Sequence, residues 1–150
     1  MVLYLASDLL WATRIKSCAD DLNPPVPARP VRNVEMLDAR LADSPVKGLL
    51  LDLAAGEEGR EGEMAFAMLA RLRGRQAEGD RPGLVEAGQS SGGRIRVVAF
   101  GPHVQAAGLA RAKREGADVV MARGALAANL PRVLRELEGG TAALQDQLTD

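Results

Sequence analysis

One cysteine, Cys18, and one histidine, His103, are all that this sequence offers of thiolate and imidazole ligands. An internal disulfide and a multi-cysteine metal site are thereby excluded, and a zinc site has no ligand set to draw on. Aromatic residues make up 3% of the chain, too few for base-stacking platforms or an aromatic ligand cage. Charge of one sign is also missing: 19 basic residues stand against 20 acidic ones, for a net charge of -1. No overall field exists to hold phosphate backbones or anionic lipid, so neither nucleic acid nor a membrane is expected as a partner. No apolar run approaches the roughly 20 residues needed to span a bilayer. The apolar stretch 2–5 is followed at once by Asp8 and preceded by no basic segment, which is not a signal-peptide pattern. A cytoplasmic location is the expectation.

What the chain has is 150 residues, 47% of them hydrophobic, enough for one core and one domain. Short, wholly apolar runs alternate with longer stretches of helical period, the pattern of a parallel sheet covered by helices on both faces. Strands are predicted at 2–5, 28–31, 48–51, 95–99 and 119–121. Trp11, Ile15, Cys18 and Leu22 make one stripe on a helix over 8–21, which Asp8 can cap. Pro24, Pro25 and Pro27 end it. A second helix follows Asn33 with Val34, Leu37 and Leu41 inward. A third spans 62–75 and buries Ala65, Leu69 and Leu72, and a fourth spans 104–115. Because Pro131 is best tolerated in a first turn, Asn129 reads as the N-cap of the last helix, with Leu130, Val133, Leu134 and Leu137 on its buried side. The aperiodic, Gly- and Ser-rich stretch 76–93 is expected to be a mobile loop, and 139–150 a tail outside the domain proper of 1–138.

Five strands alternating with five helices form a (βα)5 chain. Right-handed crossovers make a doubly wound, flavodoxin-like α/β sheet of order 2-1-3-4-5 the economical arrangement. Its switch point lies between the first and third strands, and ligands bind outside the carboxyl ends of strands there, which directs attention to Asp8 and Asp52. A carboxylate at the mouth of a buried strand is costly unless it is solvated, paired or used. Capping the following turn is the alternative role for Asp52. No Walker A loop or GxGxxG fingerprint follows the first strand: Ala6-Ser7-Asp8-Leu9 has no glycine to admit a phosphate. A flavodoxin-like small-ligand binder or enzyme therefore ranks below the other readings, and no enzyme activity or catalytic residue is assigned.

Gly48-Leu-Leu-Leu-Asp52-Leu53 resembles the third strand of response-regulator receiver domains of the CheY-like superfamily, in which the final Asp is phosphorylated. Gly116-Ala117-Asp118-Val-Val-Met-Ala-Arg123-Gly124 is similar to the family's Gly-Ala-Asp-Asp-Tyr-Leu-Thr-Lys-Pro, and Val97-Val98-Ala99-Phe100-Gly101 to its fourth strand. The resemblance implies a bacterial two-component signalling module with Asp52 as phospho-acceptor candidate, Arg123 at the lysine position and Phe100 at the Thr/Ser switch position. It also implies a Mg2+ site formed by the acceptor and an acidic pair ending the first strand. That pair is replaced by Ala6 and Ser7, leaving Asp8 with Asp52 as a weak metal set.

Arginine's planar fork is not lysine's point charge, and a salt bridge from Arg123 to Asp52 is its expected role. Phe100 has no hydroxyl, and Gly124 replaces a proline that orders the loop. The expectation is a pseudo-receiver that keeps the fold without efficient Mg2+-dependent phosphorylation. An active receiver, phosphorylated on Asp52 with Mg2+ bound, is the alternative. His103, after Gly101-Pro102, is read as opening the fourth helix rather than as a base. A protein partner or homodimer is expected through the fourth helix, fifth strand and fifth helix, with Arg111, Lys113 and Arg114 on that face.

Overall fold

The computed structural model describes residues 1–56, 59–79, 94–102, 106–139 and 146. Its elements run β1 (Val2–Leu5), α1 (Leu9–Asp21), β2 (Ala28–Pro30), α2 (Val34–Asp43), β3 (Gly48–Asp52), α3 (Glu63–Gly79), β4 (Arg96–Gly101), α4 (Ala106–Arg114), β5 (Val119–Ala122) and α5 (Arg123–Gly139). All strand pairs are parallel, in the order β2-β1-β3-β4-β5. This is the α/β architecture and strand order that the sequence predicts. Among the described residues no helix is long and apolar enough to cross a membrane.

Alternation along the strands sorts the core into two layers. Leu3, Leu5, Leu49, Leu51, Val97, Ala99 and Val120 face one side, where Leu37 of α2, Leu69 and Leu72 of α3 and Leu109 of α4 cover them. Val2, Tyr4, Leu50, Val98, Phe100, Val119 and Met121 face the other, against Trp11 and Ile15 of α1 and the α5 stripe. At about 1.5–3 kcal/mol for each fully buried aliphatic side chain, these layers fix the register of every strand. Gly48 marks the closest approach: a Cβ there would lie 2.6 Å from Cβ of Leu137, so glycine lets α5 pack directly on β3.

Local signals set the helix starts. Asp8 accepts from the Trp11 N–H at 2.8 Å and Asn33 from the Met36 N–H at 2.7 Å, two side-chain N-caps. β2, at the sheet edge, ends in Pro30, which tolerates its missing N–H there.

Two expectations need correction. Asn129 does not cap the last helix; α5 begins at Arg123, directly after β5, and runs through Pro131. The stripe of Ala125, Leu126, Leu130, Val133, Leu134 and Leu137 is buried continuously across the proline, and that burial outweighs a lost backbone bond and ring clash worth about 3 kcal/mol. Asn129 instead donates from Nδ2 to the Ala125 carbonyl at 2.8 Å. Because Pro131 is itself exposed, Pro131→Ala restores a donor without removing core contacts. It should stabilise the chain by about 1–3 kcal/mol, read as a raised urea midpoint; an unchanged midpoint would show that the helix has already absorbed the proline. The second correction concerns the stretch 76–93: α3 continues to Gly79, and the rest of it, 80–93, lies outside the described residues. So do His103 and all of 140–150 except Asp146.

Candidate functional site

β3 delivers Asp52 to the carboxyl end of the sheet, and its side chain has no exposure to solvent; it stands alone in the core as a charged residue among those described. Its two oxygens are both engaged by backbone. Oδ2 accepts from the Ser7 N–H at 2.9 Å, from the segment that leaves β1, and Oδ1 accepts from the Ala54 N–H at 2.9 Å. The second bond closes the turn after β3, the local role expected of an Asp at a strand end. The first ties β1 to β3 across the switch point. Two such bonds satisfy a group whose burial would otherwise cost several kcal/mol.

Arg123, the first residue of α5, reaches the same carboxylate at long range. Its Nη2 lies 3.9 Å from Asp52 Oδ1, beyond hydrogen-bond distance. Its guanidinium carbon stands 5.9 Å from the centroid of the Trp11 ring, within the range of a cation–π contact. The backbone amides are the hydrogen-bond partners of Asp52, and Arg123 adds the salt bridge expected of it, at the long end of the ion-pair range.

Phe100 pairs in register with Asp52 across β3 and β4. It is fully buried, and its ring centroid lies 5.3 Å from that of Trp11 at an interplanar angle of 48°. The position that the resemblance assigns to a mobile hydroxyl is filled by an aromatic pair locked into the α1–α5 layer.

Asp8 does not complete a cation site. It uses Oδ1 to cap α1, Ala6 brings no oxygen from its side chain, and Ser7 meets Asp52 through its N–H. Among the described residues no group of three or more His, Cys, Asp and Glu side chains can hold a metal ion. A hard cation wants several oxygen ligands, and the residues present do not fit Mg2+. Beside this point a groove of about 650 Å³ opens between the start of α1, the end of β2 and the turn after β3. Its lining is mainly apolar, with Thr13, Lys16 and Arg32 at hand; Lys16 is engaged by Asp20 at 3.2 Å and the Ala28 carbonyl at 3.2 Å.

A polar cluster at the opposite end of the sheet escaped sequence reasoning. Asp118, just before β5, accepts from Arg73 Nη2 at 2.8 Å and the Val97 N–H at 2.8 Å, and pairs with Arg94 at 3.2 Å. Arg73 also donates to the Gly116 and Ile95 carbonyls, at 2.9 Å each, and to Gln76. Burial pushes the Arg73 guanidinium below its usual pKa while Asp118 pulls it back up, and arginine stays charged throughout. The motif around Asp118 was visible, but its partners lie 45 and 24 residues away by numbering, and no local pattern announces such a pairing.

No protein-family model matches the sequence, and no curated protein matches it. Solved structures do match in fold. The receiver domain of the Francisella response regulator 1452 superposes with a TM-score of 0.64 at 12% identity, covering 94% of this chain and 98% of its own. The isolated receiver domain of RcsB from Salmonella enterica serovar Typhimurium, with the phosphomimetic BeF3-, gives 0.66 at 10% identity over 98% and 93%. A structure of RcsB dimers bound to DNA gives 0.61 at 13% identity over 98% of this chain and 64% of that one. The fold of this chain is that of response-regulator receiver domains.

Proposed function

We propose that this chain, having the fold of a response-regulator receiver, serves as a signalling module that works through protein contacts and not through efficient Mg2+-dependent phosphorylation. One observation carries the reading: both oxygens of Asp52 are taken by backbone N–H groups in a fully buried setting, with no metal-ligand set around it among the described residues. Phosphoryl transfer to a carboxylate needs an exposed oxygen and a cation to neutralise developing charge. Here Asp52 acts as the tie between β1 and β3. The filled Phe100 position agrees with this, since an aromatic ring cannot follow a phosphoryl group inward. Regulatory output then rests on surface contacts, for which the α4–β5–α5 face, with Lys113 and Arg114 in the last turn of α4, is the proposed site; Arg111 instead lies over the Phe66 ring of α3. The module is not an enzyme in this reading, and its location is the cytoplasm.

The test is treatment of the purified protein with beryllofluoride and Mg2+, or acetyl phosphate and Mg2+, followed by intact mass and two-dimensional NMR. Wild type and Asp52→Asn should behave alike, with no stoichiometric adduct and no shift of the Ser7 and Ala54 amides. A one-to-one adduct that disappears in Asp52→Asn would establish an active receiver instead.

A further inference from the structure

Among the described residues β5 is the last strand of the sheet, so one of its sides meets no other described strand. Such an edge offers N–H and C=O groups to any passing chain unless something covers them. Here the Val120 N–H donates to Oδ1 of Asp146 at 3.1 Å. The same oxygen accepts from Nζ of Lys113, on α4, at 3.1 Å, and Lys113 also donates to the Asp118 carbonyl at 2.6 Å. The Lys113 ammonium thus joins the carbonyl just before β5 to a carboxylate that comes from beyond α5. The seat is built for a carboxylate: one outward amide and one cation, with Arg114 exposed nearby on the same helix turn.

We propose that Asp146 is an internal clasp on the α4–β5–α5 face, holding a seat that also fits an acidic segment of a protein partner. The inference rests on the reading of that face as the interaction surface, and it adds the regulation: a partner's carboxylate binds by displacing Asp146. Charge complementarity selects the occupant. The last turn of α4 carries Lys113 and Arg114 beside the seat, while Arg111 is taken up by Glu115 and the Phe66 ring, and an acidic strand or turn satisfies both the Val120 amide and the Lys113 ammonium as Asp146 does now. Both side chains of the clasp are partly solvent-exposed, 47% for Lys113 and 37% for Asp146, so the clasp is weak enough to open.

The experiment uses the full chain and a dye-labelled, N-acetylated hexaglutamate peptide at low salt. Asp146→Ala should speed hydrogen exchange at the Val120 amide and tighten peptide binding, each by about fivefold, the scale of one exposed ion pair with its amide bond. Asp146→Lys, which adds repulsion toward Lys113, should do the same. Lys113→Glu should abolish peptide binding. Unchanged exchange at Val120 in both Asp146 variants overturns the clasp. Peptide binding that is equal with and without Asp146 also overturns it, while leaving the surface reading intact. No peptide binding even to Asp146→Ala overturns the surface reading itself.

Discussion

Phe100→Ala should destabilise the chain by about 3–5 kcal/mol, the range for truncating a fully buried aromatic ring. The ring sits in the middle of the α1–α5 layer with no solvent exposure, tilted against Trp11, and the strands on either side leave little freedom for collapse into the space. The same position separates two ideas of what this residue does. Phe100→Thr introduces the hydroxyl that the resemblance assigns to this position, yet it places an oxygen against Trp11 and removes most of the ring. It should cost nearly as much as alanine and confer no response to beryllofluoride, because the described residues still offer no metal-ligand set. Urea unfolding measures the first expectation and NMR with beryllofluoride the second. A loss below about 1 kcal/mol for Phe100→Ala would mean that the ring is not structural at all.

Arg73→Ala is the second large effect, about 3 kcal/mol. One side chain, 16% exposed, holds α3 to the beginnings of β4 and β5 through Asp118, Gly116, Ile95 and Gln76. Its removal takes a donor from the Ile95 carbonyl, leaves the Gly116 carbonyl only the long bond from Arg94 at 3.5 Å and gives Asp118 less positive charge to face, and charged hydrogen bonds of this kind contribute about 1.5–3 kcal/mol each before overlap is counted. Lysine should not rescue, since a single ammonium cannot span acceptors spread around a planar guanidinium. Arg71→Ala is the control. Arg71 also bonds an acidic partner, Asp38 at 3.0 Å, but it is 52% exposed, and its loss should cost less than about 1 kcal/mol. Hydrogen exchange at the Val97 amide, which donates to Asp118, provides a local readout. Equal effects of the two substitutions would overturn the assignment of Arg73 as the staple.

The sheet was legible because each strand is an apolar run, buried on both faces, and such runs have no competing interpretation once helical stretches alternate with them. Asp52 was legible for the same reason: a carboxylate closing an otherwise apolar run stands out. Its hydrogen-bond donors were not, because the Ser7 and Ala54 N–H groups are backbone groups that any residue but proline supplies, and only the crossing of β1 beside β3 brings Ser7 near. The Arg123 salt bridge was legible because charge is visible in a sequence and amides are not. The start of α5 was misread for a related reason. Asn129 two positions before Pro131 is a strong local start signal, but Ala125 and Leu126 already belong to the buried stripe, and tertiary burial overrode the local preference.

Trp11 is the chain's sole tryptophan, and it lies under Phe100, with the guanidinium of Arg123 on its ring. Its emission is therefore an intrinsic optical probe of the Asp52 neighbourhood, with no label to attach and no second fluorophore of its kind to subtract. A stimulus that moves Arg123 or loosens Phe100 alters the field and packing around the indole. Stopped-flow fluorescence can then time events at this end of the sheet in the unmodified protein.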